Sequence, residues 1–344
     1  MKGSILKRLM KCLLAGAGLS LVMVLIYTGR VGPGLIFARQ LSEADFKTTP
    51  LVRAKATAAG FSFDKGMTSI SLAKNIQSVA IKNRNGSIEI KQGSGSTIEI
   101  HTTVVVDQAG EKEASAVAEK TELRVKEGKV LDIEAYSERY GRSHHKEASI
   151  YLTVTLPKKL AADLQANVSN GNISLSKVLS VGRVKLSSAN GNVDAKGIGN
   201  NISLRSDNGT IHVSDAKQAV QATVMNGDIV ANQIAGPLGM ETMNGNLSSK
   251  EASSTIEAVS STGNIHIESR KVGGNWEVSS NVGNVYLAWP GSAEVEVDGK
   301  TALGEPQTDF PLAVKNNHVT GTIGKGTYRI EASSMAGLSL MKTR

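Results

Sequence analysis

The chain has 344 residues, enough for one long repeat domain or two ordinary ones, and its 4% aromatic content with 35 glycines suits thin β-layers better than a bulky core. A formal charge of +8 and a pI near 9.4 invite a nucleic-acid reading, but Lys2, Lys7, Arg8, Lys11, Arg30 and Arg39 are the only charged residues before Glu43. Six of the eight excess charges therefore sit at the start, and the near-neutral remainder has no basic stripe with interleaved aromatics, which argues against nucleic acid as a partner.

Residues 1–11 carry four positive charges and precede Cys12–Gly29, an uncharged and mostly apolar stretch of 18 residues. That length just spans a bilayer as a helix. The sequence predicts a single-pass anchor in the cell membrane, with the N-terminus cytoplasmic and the bulk of the chain outside. A cleaved signal is the alternative, with Ile36-Phe37-Ala38 as the best cleavage site, while Lys11 beside Cys12 does not fit lipoprotein processing. Cys12 is the only cysteine, so the body must be stabilised by packing and backbone ladders rather than disulfides.

Residues 30–74 hold Gly32-Pro33-Gly34, a mixed charged run and Ala56-Thr57-Ala58-Ala59-Gly60, and they read as a linker. Residues 75–157 read as an irregular N-terminal β cap. Alternation begins at Val79-Ala80-Ile81, passes Asn85-Gly86 and reaches Ile88-Glu89-Ile90. A strand is expected at 97–106, a short helix at 110–122 and further strands at 123–126, 130–136 and 149–156. The polar loop 137–148 carries Arg139, Arg142, His144, His145 and Lys146.

From residue 158 to 344 one short motif recurs. It appears as Asn170-Gly171, Asn190-Gly191, Asn208-Gly209, Asn226-Gly227 and Asn244-Gly245, with looser copies at Thr262-Gly263 and Val282-Gly283. From Gly171 to Gly283 the spacings are 20, 18, 18, 18, 18 and 20 residues, the regularity of a stacked repeat. Glycine, and less easily asparagine, tolerates the positive φ that a tight turn asks for.

The flanks repeat as well. Two residues after each glycine stand Ile173, Val193, Ile211, Ile229, Leu247, Ile265 and Val285, and two further on Leu175, Ala195, Val213, Ala231, Ser249, Ile267 and Leu287. Seven residues before it stand Leu164, Val184, Ile202, Val220, Leu238, Ile256 and Trp276; five before it, Ala166, Leu186, Leu204, Ala222, Met240, Ala258 and Val278. Polar residues fill the gaps, so each repeat is two short strands with one buried face. A hairpin array and a β-solenoid both fit locally. The constant spacing favours the solenoid, where rung length must hold for the columns to register. The expected fold is all-β: a β-solenoid of rungs about 18 residues long with Asn-Gly turns and a β cap, behind one transmembrane helix.

Candidates for chemistry are few. His144-His145 lacks a neighbouring Cys or carboxylate pair and reads as solvated. His212 and His266 lie three rungs apart on the wet face. The residue after each turn glycine forms a column, Asn172, Asn192, Thr210, Asp228, Asn246, Asn264 and Asn284, which reads as amides stacking rung to rung more readily than as a ligand site. Asp194, Asp207, Asp228 and Glu241 stand at different offsets from the turn and do not converge. No nucleophile elbow, phosphate loop or zinc helix motif occurs. The sequence predicts no catalytic residue, metal site or cofactor.

Asn85-Gly86-Ser87-Ile88, the strand Tyr151-Leu152-Thr153-Val154-Thr155-Leu156-Pro157, the train of turns, and the closing Gly321-Thr322-Ile323-Gly324-Lys325-Gly326 with Tyr328-Arg329-Ile330 together carry a likeness. Over residues 75 to 342 the chain resembles the bacterial "putative adhesin" domains of unknown function. In the last rung Ala336 stands where the others have glycine, a departure that calls for another turn type. The resemblance implies an exposed, membrane-tethered β-solenoid without established catalysis. The function expected is therefore a non-enzymatic, adhesin-like binding or structural module of the cell envelope. Its partners would be the membrane through the N-terminal helix, and envelope glycan or a membrane protein. Alternatives are an accessory of envelope-stress sensing and, with least support, a polysaccharide-active enzyme.

Overall fold

The computed structural model describes residues 52–57 and 60–343, except 74, 108, 144 and 180. The expected tail and the span Cys12–Gly29 lie outside these residues, as does His144. Among the described residues no helix is long and apolar enough to cross a membrane.

All 28 inward positions expected from the seven repeats between Leu164 and Leu287 are buried. A buried Ile, Leu or Val contributes roughly 1.5–3 kcal/mol. Two such positions per strand are the main reason short polar strands hold together. The paired strands Ile202–Asn208 and Ile211–Ala216 illustrate the unit: a first strand, a bend at Asn208-Gly209, and a second strand facing the first. First strands pair in parallel with first strands of the next rung, in register, as in Ile202↔Val220 and Asn208↔Asn226. Second strands do the same, as in Ile211↔Ile229. From Leu164 to Leu287 no antiparallel hairpin occurs, and the chain is a parallel β-solenoid with two long sheets of 14 strands each. One aliphatic core runs the length of the stack between them.

Rungs do not stack in chain order at the ends. Asn85-Gly86 is part of a true rung, made of Ser78–Asn85 and Ile88–Gln92. This rung lies between the one built from Val130–Tyr136 and Ser149–Leu156 and the one built from Asp163–Asn170 and Ile173–Ser176. The stretch expected as an irregular cap thus contributes two rungs to the stack. The far end repeats the device. Tyr328–Ser334 fits between Trp276–Ser280 and the outer strand Val295–Thr301, and Gly337–Lys342 between Asn284–Trp289 and Gln307–Thr308. Outside these, antiparallel strands take over: Ile98–Val106 and Gly60–Ile70 at one end, His318–Ile323 at the other.

The linker expectation for residues 30–74 is corrected over the described part, 52–57 and 60–70. Val52–Thr57 and Gly60–Ile70 are strands, the second pairing with Ile98–Val106. Period-two alternation is broken by a register shift between Asp64 and Gly66, which removes the signal that would have revealed the strand. A helix, Glu111–Lys120, lies within the expected stretch 110–122. Its Ala114, Val117 and Ala118 pack with Phe63, Val104, Val106 and Tyr140 in a second, smaller core.

Candidate functional site

The Asn-Gly corner concentrates most of the repeated polar chemistry. The positive φ belongs to glycine alone, from +142° to +155° between Gly171 and Gly283; none of the preceding asparagines adopts one. Close approach matters as much as φ. A Cβ on Gly209 would overlap the carbonyl oxygen of Gly191, a Cβ on Gly227 that of Gly209, and so on along the column to Gly283. From Gly171 to Gly263 each glycine N–H in turn donates outward along the stack, Gly191 to the Asn208 carbonyl at 2.9 Å and Gly209 to the Asn226 carbonyl at 3.0 Å.

The same glycine carbonyls receive a second donor that sequence reasoning missed. Three residues before the turn, Ser188, Ser206, Thr242, Ser260 and Ser280 point inward, and their hydroxyls donate to the glycine carbonyl of the preceding rung at 2.7–3.2 Å. Ser334 does the same to Gly283 at 2.8 Å. These hydroxyls satisfy an acceptor that the tight corner turns into the core. Val168 and Val224 interrupt the column, which hides it from simple inspection.

Outside the corner the asparagine side chains form a ladder. Nδ2 of Asn244 donates to Oδ1 of Asn226, and the pattern continues through Asn208, Asn190 and Asn170 to Asn85, each step 2.9–3.0 Å. The terminal Nδ2 of Asn85 meets Glu147 at 3.1 Å. Burial acts to raise the Glu147 carboxyl, but hydrogen bonds and charge from Arg139 and Arg84 outweigh it and hold the group below its usual value. The column after glycine forms a second ladder. Side-chain oxygens of Asn172, Asn192, Asp228, Asn246 and Asn264 accept from the backbone N–H one rung on, at 2.7–2.9 Å. Amide stacking is what this column does.

At the opposite corner of the rung a further column went unread. Lys177, Asp215, Gln233 and Glu251 have φ of 53–59°, with Gly197 at 70° in the equivalent place. Only Gly197 carries a recognisable signal.

The outer faces hold the remaining candidates. His212 contacts Asp194 at 3.2 Å on the second sheet, beside a 380 Å³ hollow also lined by Lys196, Ser214 and Asn232. His266, three rungs on, stacks on Tyr286 with ring centroids 4.5 Å apart. On the first sheet a 330 Å³ hollow opens over Gly239, flanked by Gln221, Glu257 and Arg183. Asp207 pairs with Arg205 at 2.8 Å, Asp228 belongs to the second ladder, and Glu241 stands in register with Thr223 and Val259. Asp194, Asp207, Asp228 and Glu241 are not brought together. Among the described residues no three His, Cys, Asp or Glu side chains are grouped to hold a metal ion. His145 is exposed.

Parallel two-sheet rungs, a glycine column and paired amide ladders define a repeat protein of the β-solenoid class. Residues 76–337 match the Toastrack DUF4097 family, and the chain belongs to that family. No curated protein matches it. Among solved structures it is similar to a "putative lipid binding protein" from Parabacteroides distasonis ATCC 8503, at 12% identity and a TM-score of 0.40, covering 81% of this chain and 97% of that one. It is also similar to a "putative adhesin" from Bacteroides fragilis NCTC 9343, at 11% identity and a TM-score of 0.37, covering 80% and 95%. At TM-scores this low, neither likeness decides anything about function.

Proposed function

We propose that this protein is a non-enzymatic, adhesin-like binding module of the cell envelope, tethered to the membrane by Cys12–Gly29. The observation that supports it best is the pair of outer faces, mostly polar and in strict rung register, interrupted at Gly239 on one and Val230 on the other. The first carries Lys185, Ser203, Gln221 and Glu257, the second Asp194, His212, Ser248 and His266, each residue one strand from an equivalent neighbour. Strands are about 4.8 Å apart, so such a face offers polar groups at multiples of one interval along its length, with a gap at Gly239 and at Val230. That suits an extended polar chain, such as envelope glycan, better than a compact small molecule. The hollows beside His212 and Gly239 give each face a recess in which one unit of such a chain would seat. The uncharged span behind four positive charges supports the tether.

The test is retention of the purified full-length chain on immobilised envelope polysaccharide, with release by the soluble polymer. Turnover of that polymer, abolished by Asp228→Asn or Glu241→Gln, would overturn the non-enzymatic reading. Retention of a membrane sensor protein with none of glycan would replace the ligand. For the tether, protease added to spheroplasts is expected to degrade the solenoid, and protection there would refute the topology.

A further inference from the structure

Six Asn-Gly pairs occur in the sequence, at Asn85, Asn170, Asn190, Asn208, Asn226 and Asn244, and Asn-Gly is the dipeptide in which asparagine is chemically least durable. The glycine nitrogen attacks the asparagine Cγ, the bond from Cγ to the side-chain nitrogen breaks, and ammonia leaves with the proton the glycine nitrogen gave up. A five-membered imide remains. Water then adds to either of its carbonyls and opens it to aspartate or to isoaspartate, in which the backbone runs through the side chain. The reaction needs a glycine N–H free to lose its proton and an asparagine side chain free to swing over it.

In the folded chain neither is free. Every one of the six glycine N–H groups is hydrogen-bonded to a carbonyl of the adjacent rung, from Gly86 to Asn170 at 2.9 Å through to Gly245 to Thr262 at 2.8 Å. Every one of the six side-chain amides is held by the ladder, at 2.9–3.1 Å. Solvent exclusion plays no part, because Asn170, Asn190, Asn208, Asn226 and Asn244 are all exposed to water. Protection rests on the hydrogen bonds and the fixed corner they hold. It is weakest at the end where the repeat departs from asparagine: Thr262 replaces it, so Oδ1 of Asn244 receives no donor from the ladder, whereas the other five are each bonded on both sides.

We propose that the six Asn-Gly corners are latent deamidation sites, closed together by the ladder in the folded protein and opened together when it unfolds, with Asn244 the first to react while the fold persists. The product poisons the same geometry. A carboxylate cannot donate to the next Oδ1, and several of them would stack one rung apart, about 4.8 Å, as like charges. Isoaspartate would add a backbone atom immediately before a glycine that has no room to move. An episode of unfolding at mildly alkaline pH is thereby converted into a permanent loss of the fold.

The experiment incubates the full-length chain at one mildly alkaline pH, folded and in guanidinium chloride, and follows all six sites by peptide mapping and mass spectrometry. Unfolded molecules are on the order of one in a thousand or fewer in a stable protein, so reaction at Asn190 and Asn208 is expected to be at least about tenfold slower in the folded sample. Within that sample Asn244 should lead. Equal rates in the two samples would overturn the protection, and a lead by Asn190 or Asn208 would overturn the assignment of the weak end. Asn208→Ser supplies an independent check in a chain verified as folded by circular dichroism. It removes the acceptor of Asn226 and the donor to Asn190, so both should deamidate severalfold faster than in the parent while Asn85 keeps its rate. Unchanged rates at Asn190 and Asn226 would show that the ladder does not protect.

Discussion

Between Asp163 and Trp289 seven rungs place similar side chains at the same offsets from each turn glycine: mostly aliphatic residues inward, asparagine at five of the seven corners, mostly a hydroxyl beneath. The rungs 78–92 and 328–342 keep parts of the pattern, Asn85-Gly86 in the ladder and Ser334 beneath Gly283, and outside them it is lost. The N-terminal end replaces the two-residue corner with the excursion 137–148 and holds it with Arg84, Arg139 and Glu147, at 2.6 and 2.8 Å. The C-terminal end packs Trp276, Trp289 and Phe310 together and gathers His318, Lys300 and Arg329 around Asp298. A rung in the middle has an identical neighbour on either side, so one repeated solution serves for all. An end rung has a neighbour on one side only, and must satisfy its other edge with chemistry of its own.

The widest gap between the regions should appear at the glycines. Gly209→Val places a branched side chain at φ +150° against the Gly191 carbonyl, and we expect a loss of about 4 kcal/mol or more. Gly304, at φ +78° near the C-terminal end, has nothing within 4 Å of a Cβ. Gly304→Ala should cost only about 1 kcal/mol. Denaturant unfolding of both variants checks the pair, and equal losses would mean that φ alone, without crowding, governs the corner. At the C-terminal end Trp289→Ala should cost roughly 3 kcal/mol, since it empties a fully buried site between Trp276 and Phe310. Hydrogen exchange should show that loss confined to strands near Trp289, with the middle rungs still protected.

A smaller effect separates the hydroxyl column from its gaps. Ser206→Ala leaves the Gly191 carbonyl without its inward donor and is expected to cost about 1–2 kcal/mol in thermal melting. Val224→Thr adds a hydroxyl at the equivalent place and should be close to neutral, because a glycine carbonyl stands ready to receive it.

The smallest difference is in pH dependence. Burial acts to raise both Glu147 and Asp298, yet Arg139 and Arg84 at one end and His318 and Lys300 at the other hold the two carboxyls below their usual values. A folded pKa below the unfolded one contributes stability that is present above about pH 4. That contribution disappears as the pH falls through the folded value. Acid is therefore expected to loosen Ser149–Leu156 and Val295–Thr301 before the middle rungs, as read by hydrogen exchange at about pH 3 against about pH 7. Glu147→Gln should remove the acid sensitivity of the first without touching the second. Simultaneous loss everywhere would break the contrast between ends and middle.

What could be read from the sequence follows the same division. The inward columns from Leu164 to Leu287 were legible because burial imposes a period of two and stacking imposes a period near 18. The amide column after glycine was legible for the same reason. The hydroxyls beneath the corner were available in principle, but Val168 and Val224 dilute the pattern. The second corner was not, since Lys177, Asp215, Gln233 and Glu251 share no side-chain type, and the modest cost of positive φ lets several polar residues fill it. Glu147 and Arg84 lie 63 residues apart and belong to no repeat, so nothing local announces their meeting. Rung order at the ends was equally hidden: a strand's own pattern says which face is buried and nothing about which strand lies beside it.

That rung order has a consequence for how the molecule can be made. The rung 78–92 is synthesised first of the stack, yet later segments are laid on both of its sides, 149–156 on one and 163–176 on the other. It serves as a seed from which the stack grows in two directions. At the other end Val295–Thr301 has no partner in the long stack until Tyr328–Ser334 arrives to bridge it to Trp276–Ser280. The closing segment is a keystone. A chain interrupted anywhere before residue 328 leaves the edge of Trp276–Ser280 bare and its outer strand adrift, the state most prone to pair with another copy. Completion of the stack thus depends on residues 328–342, which are synthesised after every strand they join, and a molecule lacking them is chemically distinguishable by its open edge.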